Sequence, residues 1–360
     1  GESLSYISSM EVIGDSLFAI NSTSDIYKIE LFGTTATVSK VTLSGLDTSS
    51  GVYFKKMASS GDVLYLSYMS SIYSVTLAEG QGGTTTGTVT EIEPSFTAAS
   101  YYNSGSEVQF SNLNDLVTIG TGIYFSDESN KLIRKIDTST SNITTLAGRV
   151  ENFADGTGQD AEFKSFNFNS GNLRVSGTDI YVIDDQRIRK VDSATGAVST
   201  IQISTHPYDM QQWTTLGTDI FYYNEDYYTN PYTRKIFKLS PDGSVNELVL
   251  NNYTIEGYVY GLTSDGTDLL FAESTGGTLK FSRVAVDTGV VTPYTNAGEN
   301  LTWIGKMVVI GDSLFASRDS DIYKIELSGT TATVSKVTLN GLDTSGVYFE
   351  KMASSGDVLY

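Results

Sequence analysis

This chain repeats itself on two length scales, and no other feature restricts its fold as much. The first repeat is divergent. A Gly, then Asp or Thr, a spacer, Ile or Leu, and usually an aromatic recur at Gly14 (GDSLF), Gly61 (GDVLY), Gly120 (GTGIY), Gly177 (GTDIY), Gly217 (GTDIF), Gly266 (GTDLL), Gly311 (GDSLF) and Gly356 (GDVLY). Gly-Asp and Gly-Thr are suited to a tight turn into a strand. A second anchor follows: IYKIE from Ile26, IYSVT from Ile72, IRKID from Ile133, IRKVD from Ile188, IFKLS from Ile236, FSRVA from Phe281 and IYKIE from Ile322. Period-two alternation sets Lys28, Lys135, Lys190, Lys238 and Lys324 on one face, and Ile29, Ile136, Val191, Leu239 and Ile325 on the other.

A further β-rich run closes most units, as in ATVSKVTL from Ala36 and GAVSTIQI from Gly196, so each unit reads as four strands. The anchors lie about 40 to about 60 residues apart, the spacing of propeller blades. One four-stranded antiparallel sheet with two partly apolar faces cannot shield both, so the units are expected to stack face to face as an all-β propeller of four-stranded blades. A β-sandwich does not require one short signature to return this often. A parallel β-helix needs shorter periods.

Composition agrees with short strands and polar turns. Charged residues are 18%, Gly is 34 and Tyr is 23 of 360 residues, while hydrophobic content reaches 39%. Cys is 0, which excludes a disulfide framework, a thiolate zinc site and a cysteine nucleophile. Lys plus Arg total 23 against 42 Asp plus Glu, and the net charge of -19 disfavours nucleic acid and anionic lipid as partners. No apolar run approaches the ~18 residues of a membrane helix. With neither a signal peptide nor an initiator Met, the expectation is a mature excerpt of a longer parent.

From Leu146 to Asp192 the chain reads LAG, then DGTGQDAEF (Asp155 to Phe163), then GNLRVSGTDIYVIDDQRIRKVD. This resembles the NHL repeat of six-bladed propellers, most clearly over residues 119–203. Elsewhere only the Gly turn, the aromatic and the Ile-x-Lys-Ile skeleton persist. The resemblance implies a propeller. Its family includes ligand-binding modules, nucleic-acid binders with basic faces and a few lyases, so it does not choose a role.

The second repeat is almost letter for letter: Met10 to Tyr65 returns as Met307 to Tyr360, with changes such as Phe32 to Ser328, Ser44 to Asn340 and Lys55 to Glu350. The offset between the copies, about 295 to 297 residues, spans the six anchors from Gly14 to Gly266. Residues 1–306 are therefore expected to form a six-bladed unit, and 307–360 to start the next unit or to supply a closing or donated blade. The alternative is a seven-bladed single ring in which the last strands complete the first blade. Tyr360 falls inside a second strand, and an unpaired edge there invites pairing with another chain or with its own amino terminus.

Candidate chemistry is sparse. The only His, His206 in STHPYDM, cannot build a multi-His metal site, which disfavours the lyase branch. Asp184-Asp185, Asp155 with Asp160, and Glu225-Asp226 are the best carboxylate clusters, but none has EF-hand spacing. Calcium between blades is weighed there against solvated turn aspartates, and no cofactor is otherwise expected. The glycines of DGTGQDAEF lack a P-loop Lys and read as a turn. Sequons at Asn21, Asn142, Asn252 and Asn300 are no more frequent than chance.

The most unusual segment is FYYNEDYYTNPYTRKIF, Phe221 to Phe237, read as a loop inserted between the Gly217 anchor and its Ile-x-Lys strand. Tyr222, Tyr223, Tyr227, Tyr228 and Tyr232 are the candidate contacts for carbohydrate or protein, against the alternative that they cover their own blade. GQGGTTTG from Gly80 and the stretch around Tyr101-Tyr102 are further insertions, the former flexible by composition. Two functions follow. One is a non-catalytic repeat unit of an extracellular structural or adhesive protein, self-associating in tandem or as a filament. The other is a cell-surface propeller that binds a glycan, peptide or small molecule.

Overall fold

In a computed structural model the chain is described except for residues 1, 4–6, 14–15, 22, 33–34, 47–52, 69–70, 82–83, 93–112, 141, 150–152, 167–172, 186, 202–211, 227–232, 306, 311–312, 319–320, 341, 344–353, 356–357 and 360. The described residues build seven antiparallel four-stranded sheets, the blades of an all-β propeller fold. Seven is the number expected of the single-ring alternative, and six with an overhang is corrected accordingly. The reason is visible in the second copy: Met307–Ile310, Ser313–Arg318, Asp321–Ser328 and Thr331–Lys336 form a complete blade 7. Two compact units are described in turn, Val41–Ile203 and Gly1–Lys40 with Ser204–Tyr360.

In the first unit, blade 2 comprises Lys56–Ser60, Val63–Tyr68, Ser71–Glu79 and Thr85–Glu91. Blade 3 comprises Leu113–Ile119, Gly122–Asp127, Leu132–Asp137 and Ile143–Ala147. Blade 4 comprises Leu173–Ser176, Asp179–Asp184, Arg187–Asp192 and Ala197–Ile201. The first two strands of each blade are joined by the predicted two-residue turn: Ser60 pairs Val63, Ile119 pairs Gly122 and Ser176 pairs Asp179. Gly61, Gly120 and Gly177 have φ of 57°, 56° and 61°, the left-handed region such a turn needs.

Blade 3 shows why the units must stack. Ile123, Phe125 and Ile136 pack with Ala58, Tyr65 and Ile72 of blade 2. Tyr124 and Ile133, on the opposite pleat, pack with Leu173, Ile180 and Val191 of blade 4. Both faces are buried, as the repeat argument requires. The insertion expected from Gly80 is corrected in blade 2, where its described residues belong to a hairpin. Gly80 N–H bonds Thr84 O at 2.7 Å, and Thr85–Glu91 is its fourth strand.

In the second unit, blade 1 comprises Ile7–Ile13, Ser16–Asn21, Ile26–Phe32 and Thr35–Lys40. Blade 5 comprises Trp213–Leu216, Asp219–Asp226, Thr233–Leu239 and Val245–Glu247. Blade 6 comprises Tyr258–Ser264, Leu269–Thr275, Thr278–Ala285 and Val290–Pro293. Phe221, Tyr223 and Ile236 of blade 5 pack with Val259, Leu269 and Phe271 of blade 6. Leu270, Leu279 and Phe281 of blade 6 pack with Leu314, Tyr323 and Ile325 of blade 7.

The segment after a blade often adds a strand to the fourth strand of the next. Thr42–Ser44 lies parallel on blade 2. Gly156–Thr157 lies antiparallel on blade 4, and Thr295–Gly298 lies parallel on blade 7. Thr338–Asn340, which follows blade 7, lies parallel on Thr35–Thr37 of blade 1. Ser354–Ser355 and Val358–Leu359 pair as a short hairpin, the copy of the first two strands of blade 2.

Candidate functional site

The aromatic of the Gly motif sits directly across from the lysine of the Ile-x-Lys motif. Phe18 pairs Lys28, Tyr124 pairs Lys135, Tyr181 pairs Lys190, Phe221 pairs Lys238 and Phe315 pairs Lys324. These are cross-strand pairs of the kind that hold a sheet together. Lys135 Nζ lies 5.6 Å from the Tyr124 ring centroid, while Lys190 and Lys238 reach Asp179 and Asp219 at 2.8 and 2.7 Å. The lysine row is thus a set of local ion pairs and ring contacts, not a basic face.

Polar groups also gather toward the end of the second strand, four residues after its Ile or Leu anchor. That position holds Asn21, Asp127, Asp184, Asn224 and Glu273 in blades 1, 3, 4, 5 and 6, all buried. Asn21 Oδ1 accepts the N–H of Thr23 and of Asp25 at 3.0 and 2.8 Å. Asp127 accepts from Arg134 Nε at 2.7 Å and from Asn130 Nδ2 at 2.9 Å. Asp184 accepts the backbone N–H of Lys164 and of Ser165, each at 2.8 Å, and Arg189 Nη1 at 2.8 Å. Glu273 accepts the N–H of Glu256 and Gly257 at 2.9 and 3.1 Å, and the Tyr253 hydroxyl. In blades 4 and 6 these are segments that enter the blade, so the carboxylate is a clasp for its own connection.

Arg189 is the centre of the strongest clasp. Its side chain is 0% exposed and also donates to Glu162 O at 2.9 Å, Ala154 O at 2.7 Å and Asp155 Oδ1 at 3.1 Å. Its guanidinium carbon lies 5.1 Å from the Phe163 ring centroid. The DGTGQDAEF turn is therefore pinned on blade 4 by an arginine that the sequence reading passed over. The structurally matching residue is Tyr27, Tyr73, Phe237 and Tyr323 in blades 1, 2, 5 and 7, and Arg134 in blade 3. Arginine takes the place of an aromatic in the two blades that carry Asp four residues after the Ile anchor, Asp127 and Asp184. That pairing was the available signal, and it falls within 119–203.

Burial pushes the Asp184 carboxyl upward, against the N–H groups and Arg189 that favour its ionised form. Asp155 has the opposite outcome: burial raises it, but Thr200 and Arg189 together hold it below the ordinary carboxylate range. Glu225 bonds Arg234 at 2.5 Å and accepts the Tyr223 hydroxyl at 3.3 Å. All three proposed carboxylate clusters thus have a member held by arginine. Among the described residues, no three His, Cys, Asp or Glu side chains are grouped to hold a metal ion.

Of the candidate contacts, Tyr222 and Tyr223 belong to the second strand of blade 5 rather than to a loop. Tyr222 is 0% exposed and stacks on Phe237 at 5.4 Å; Tyr223 is 2% exposed and meets Tyr258 edge-on at 6.1 Å. Both are core, because successive residues of a sheet covered on both faces are both buried. Tyr227, Tyr228 and Tyr232 lie outside the described residues, as do His206 and Tyr101-Tyr102. The arrangement offers bonded polar clasps that hold the chain's own connecting segments on their blades.

No family model and no curated protein matches this chain. Among solved structures it is similar to the computationally designed Ika8 protein, with a TM-score of 0.55 and 10% identity over 94% of this chain and 92% of that one. It is similar to Saccharomyces cerevisiae Sqt1, with a TM-score of 0.53 and 8% identity over 98% of this chain and 89% of that one. It is also similar to the GH74 xyloglucanase from Xanthomonas campestris, with a TM-score of 0.55 and 11% identity over 94% of this chain and 55% of that one. At these identities the likeness is one of fold, an all-β propeller of four-stranded blades.

Proposed function

We propose that this chain is a non-catalytic, NHL-like propeller that serves as a repeat unit of an extracellular structural or adhesive protein and acts by self-association. The observation that carries the reading is the near-identical copy. Residues 307–336 fold as a complete blade, and the strand that follows them docks on blade 1, which they duplicate. A chain that presents the same blade twice offers the same junction twice. The absence of Cys and the charge of -19 suit a polar, acidic surface exposed to any redox environment. Non-catalytic is supported by buried carboxylates that are engaged in holding a connection, as Asp184 and Glu273 do, or an arginine of their own blade, as Asp127 does. Among the described residues no helix is long and apolar enough to cross a membrane.

Antibodies against residues 1–360 should label intact, unpermeabilised cells of the source organism, and immunogold should follow extended surface structures. Label confined to permeabilised cells overturns the reading. The ligand-binding alternative retains Tyr227, Tyr228 and Tyr232 as its contacts, and a glycan array with their triple Ser variant as control tests it.

A further inference from the structure

We infer that the junction between blade 7 and blade 1 is exchangeable between molecules, so that blade 7 of one chain seats blade 1 of a second copy. This deepens the proposed self-association and rests on that reading for its biological setting.

One strand of the chain occurs twice. TATVSKVTL spans residues 35–43 and again 331–339. Each TATVSK is the fourth strand of a blade, and each receives a parallel guest. On blade 7 the guest is Thr295–Gly298, with Thr295 opposite Thr331 and Asn296 opposite Ala332. On blade 1 it is Thr338–Asn340, with Thr338 opposite Thr35 and Leu339 opposite Ala36. The register is the same although the guests, TNAG and TLN, differ in sequence. The edge therefore reads backbone hydrogen bonds more than side chains, which is how strand addition works.

The guest is equally tolerant. VTLS after blade 1 docks on Thr86–Thr88, and VTLN after blade 7 docks on Thr35–Thr37. Neither side of the junction encodes that its partner must come from the same molecule.

The junction is also built from short pairings. Among the described residues, strand pairing joins the blade 7 end of the chain to its beginning at Thr338–Asn340 with Thr35–Thr37 and at Glu2–Ser3 with Leu342–Asp343. Blades 1 and 7 each take their own four strands from one continuous stretch, so no blade is divided between the two ends of the sequence. Among the described residues, opening this junction breaks these two short pairings, and a second copy restores the same ones, the condition under which exchange costs little. The opposing term is charge. Two chains of -19 repel, so salt should favour exchange.

The absence of Cys makes the test clean. Paired strands lie about 4.8 Å apart, within disulfide reach. The double variant Thr35→Cys/Thr338→Cys should close within one chain under dilute oxidising conditions. When separately tagged Thr35→Cys and Thr338→Cys chains are mixed, a covalent heterodimer should accumulate with protein and salt concentration, several-fold above either homodimer. Light scattering on the unsubstituted chain should show dimers and larger species rising over the same range, so the test does not depend on the variants folding. Heterodimer no more abundant than homodimer, with the unsubstituted chain monomeric throughout, overturns the inference. Failure of the double variant to close overturns the register on which it stands. Either failure leaves the surface-labelling result untouched, and intracellular label leaves exchange in the purified chain untouched.

Discussion

Arg189→Met should destabilise the fold by about 3–5 kcal/mol, the range for removing one partner of a buried ion pair. Methionine fills much of the same volume, so the loss is chiefly polar. Asp184, 0% exposed, keeps the N–H groups of Lys164 and Ser165 but loses its cation. The carbonyls of Glu162 and Ala154 lose their guanidinium donor, and the 153–166 segment loses its main tie to blade 4. Burial already raises the Asp184 carboxyl, and without the guanidinium it rises further. The folded variant then holds a proton that the unfolded chain releases near pH 4, so its penalty should grow as pH climbs from about 4 toward neutrality. Urea denaturation followed by circular dichroism, at pH 5 and pH 7, measures this. Lys235→Met is the control: Lys235 and Glu247 are each 43% exposed, and their pair should matter by under about 1 kcal/mol. Limited proteolysis should cut the variant first within 153–166. A penalty under about 1 kcal/mol, or one that grows toward low pH, refutes the clasp.

Four other outcomes are expected. Burial, and after it the neighbouring carboxylates Glu225 and Glu273, pushes the Tyr223 and Tyr253 hydroxyls up; ultraviolet titration should show them ionising only as the fold is lost, with stability falling as pH rises above about 10. Tyr222→Ala should cost on the order of 3–5 kcal/mol in denaturant melts, as a core aromatic does and a loop residue does not. Gly177→Ala, at φ 61°, should cost about 1 kcal/mol or more by the same assay, although nothing lies within 4 Å of an added Cβ. The Thr195 and Ser244 N–H groups hold Asp192 and Asp242 low, and the Ser139 hydroxyl does the same for Asp137. Their contribution is complete above about pH 4 and is lost as pH falls through the lowered folded values, which acid titration followed by circular dichroism should show.

What could be read directly was whatever repeats locally. The Gly turn, the alternating strand and the aromatic opposite lysine depend on residues within one hairpin, so Gly177, Tyr181 and Lys190 announce a blade without reference to anything distant. The clasps were less legible. Arg189 stands in an IRKVD strand whose lysine draws the eye, and its four acceptors come from Asp184, Asp155, Glu162 and Ala154, brought together only by the packing of a connection on its blade. Tyr222 and Tyr223 were misplaced for a related reason: Tyr, Asn and Asp in series resemble a loop by composition, while burial of both sheet faces makes a core strand of the first part of them.

The amino-acid order by itself determined the class of fold, the four-stranded unit and the duplication of 10–65, because periodicity and turn chemistry are local properties of the chain. Only the tertiary structure decided that residues 307–336 count as a seventh blade and where the strand after them docks. That choice depends on which edge a three-residue guest meets, and backbone hydrogen bonds, the same for every sequence, leave no mark in the letters.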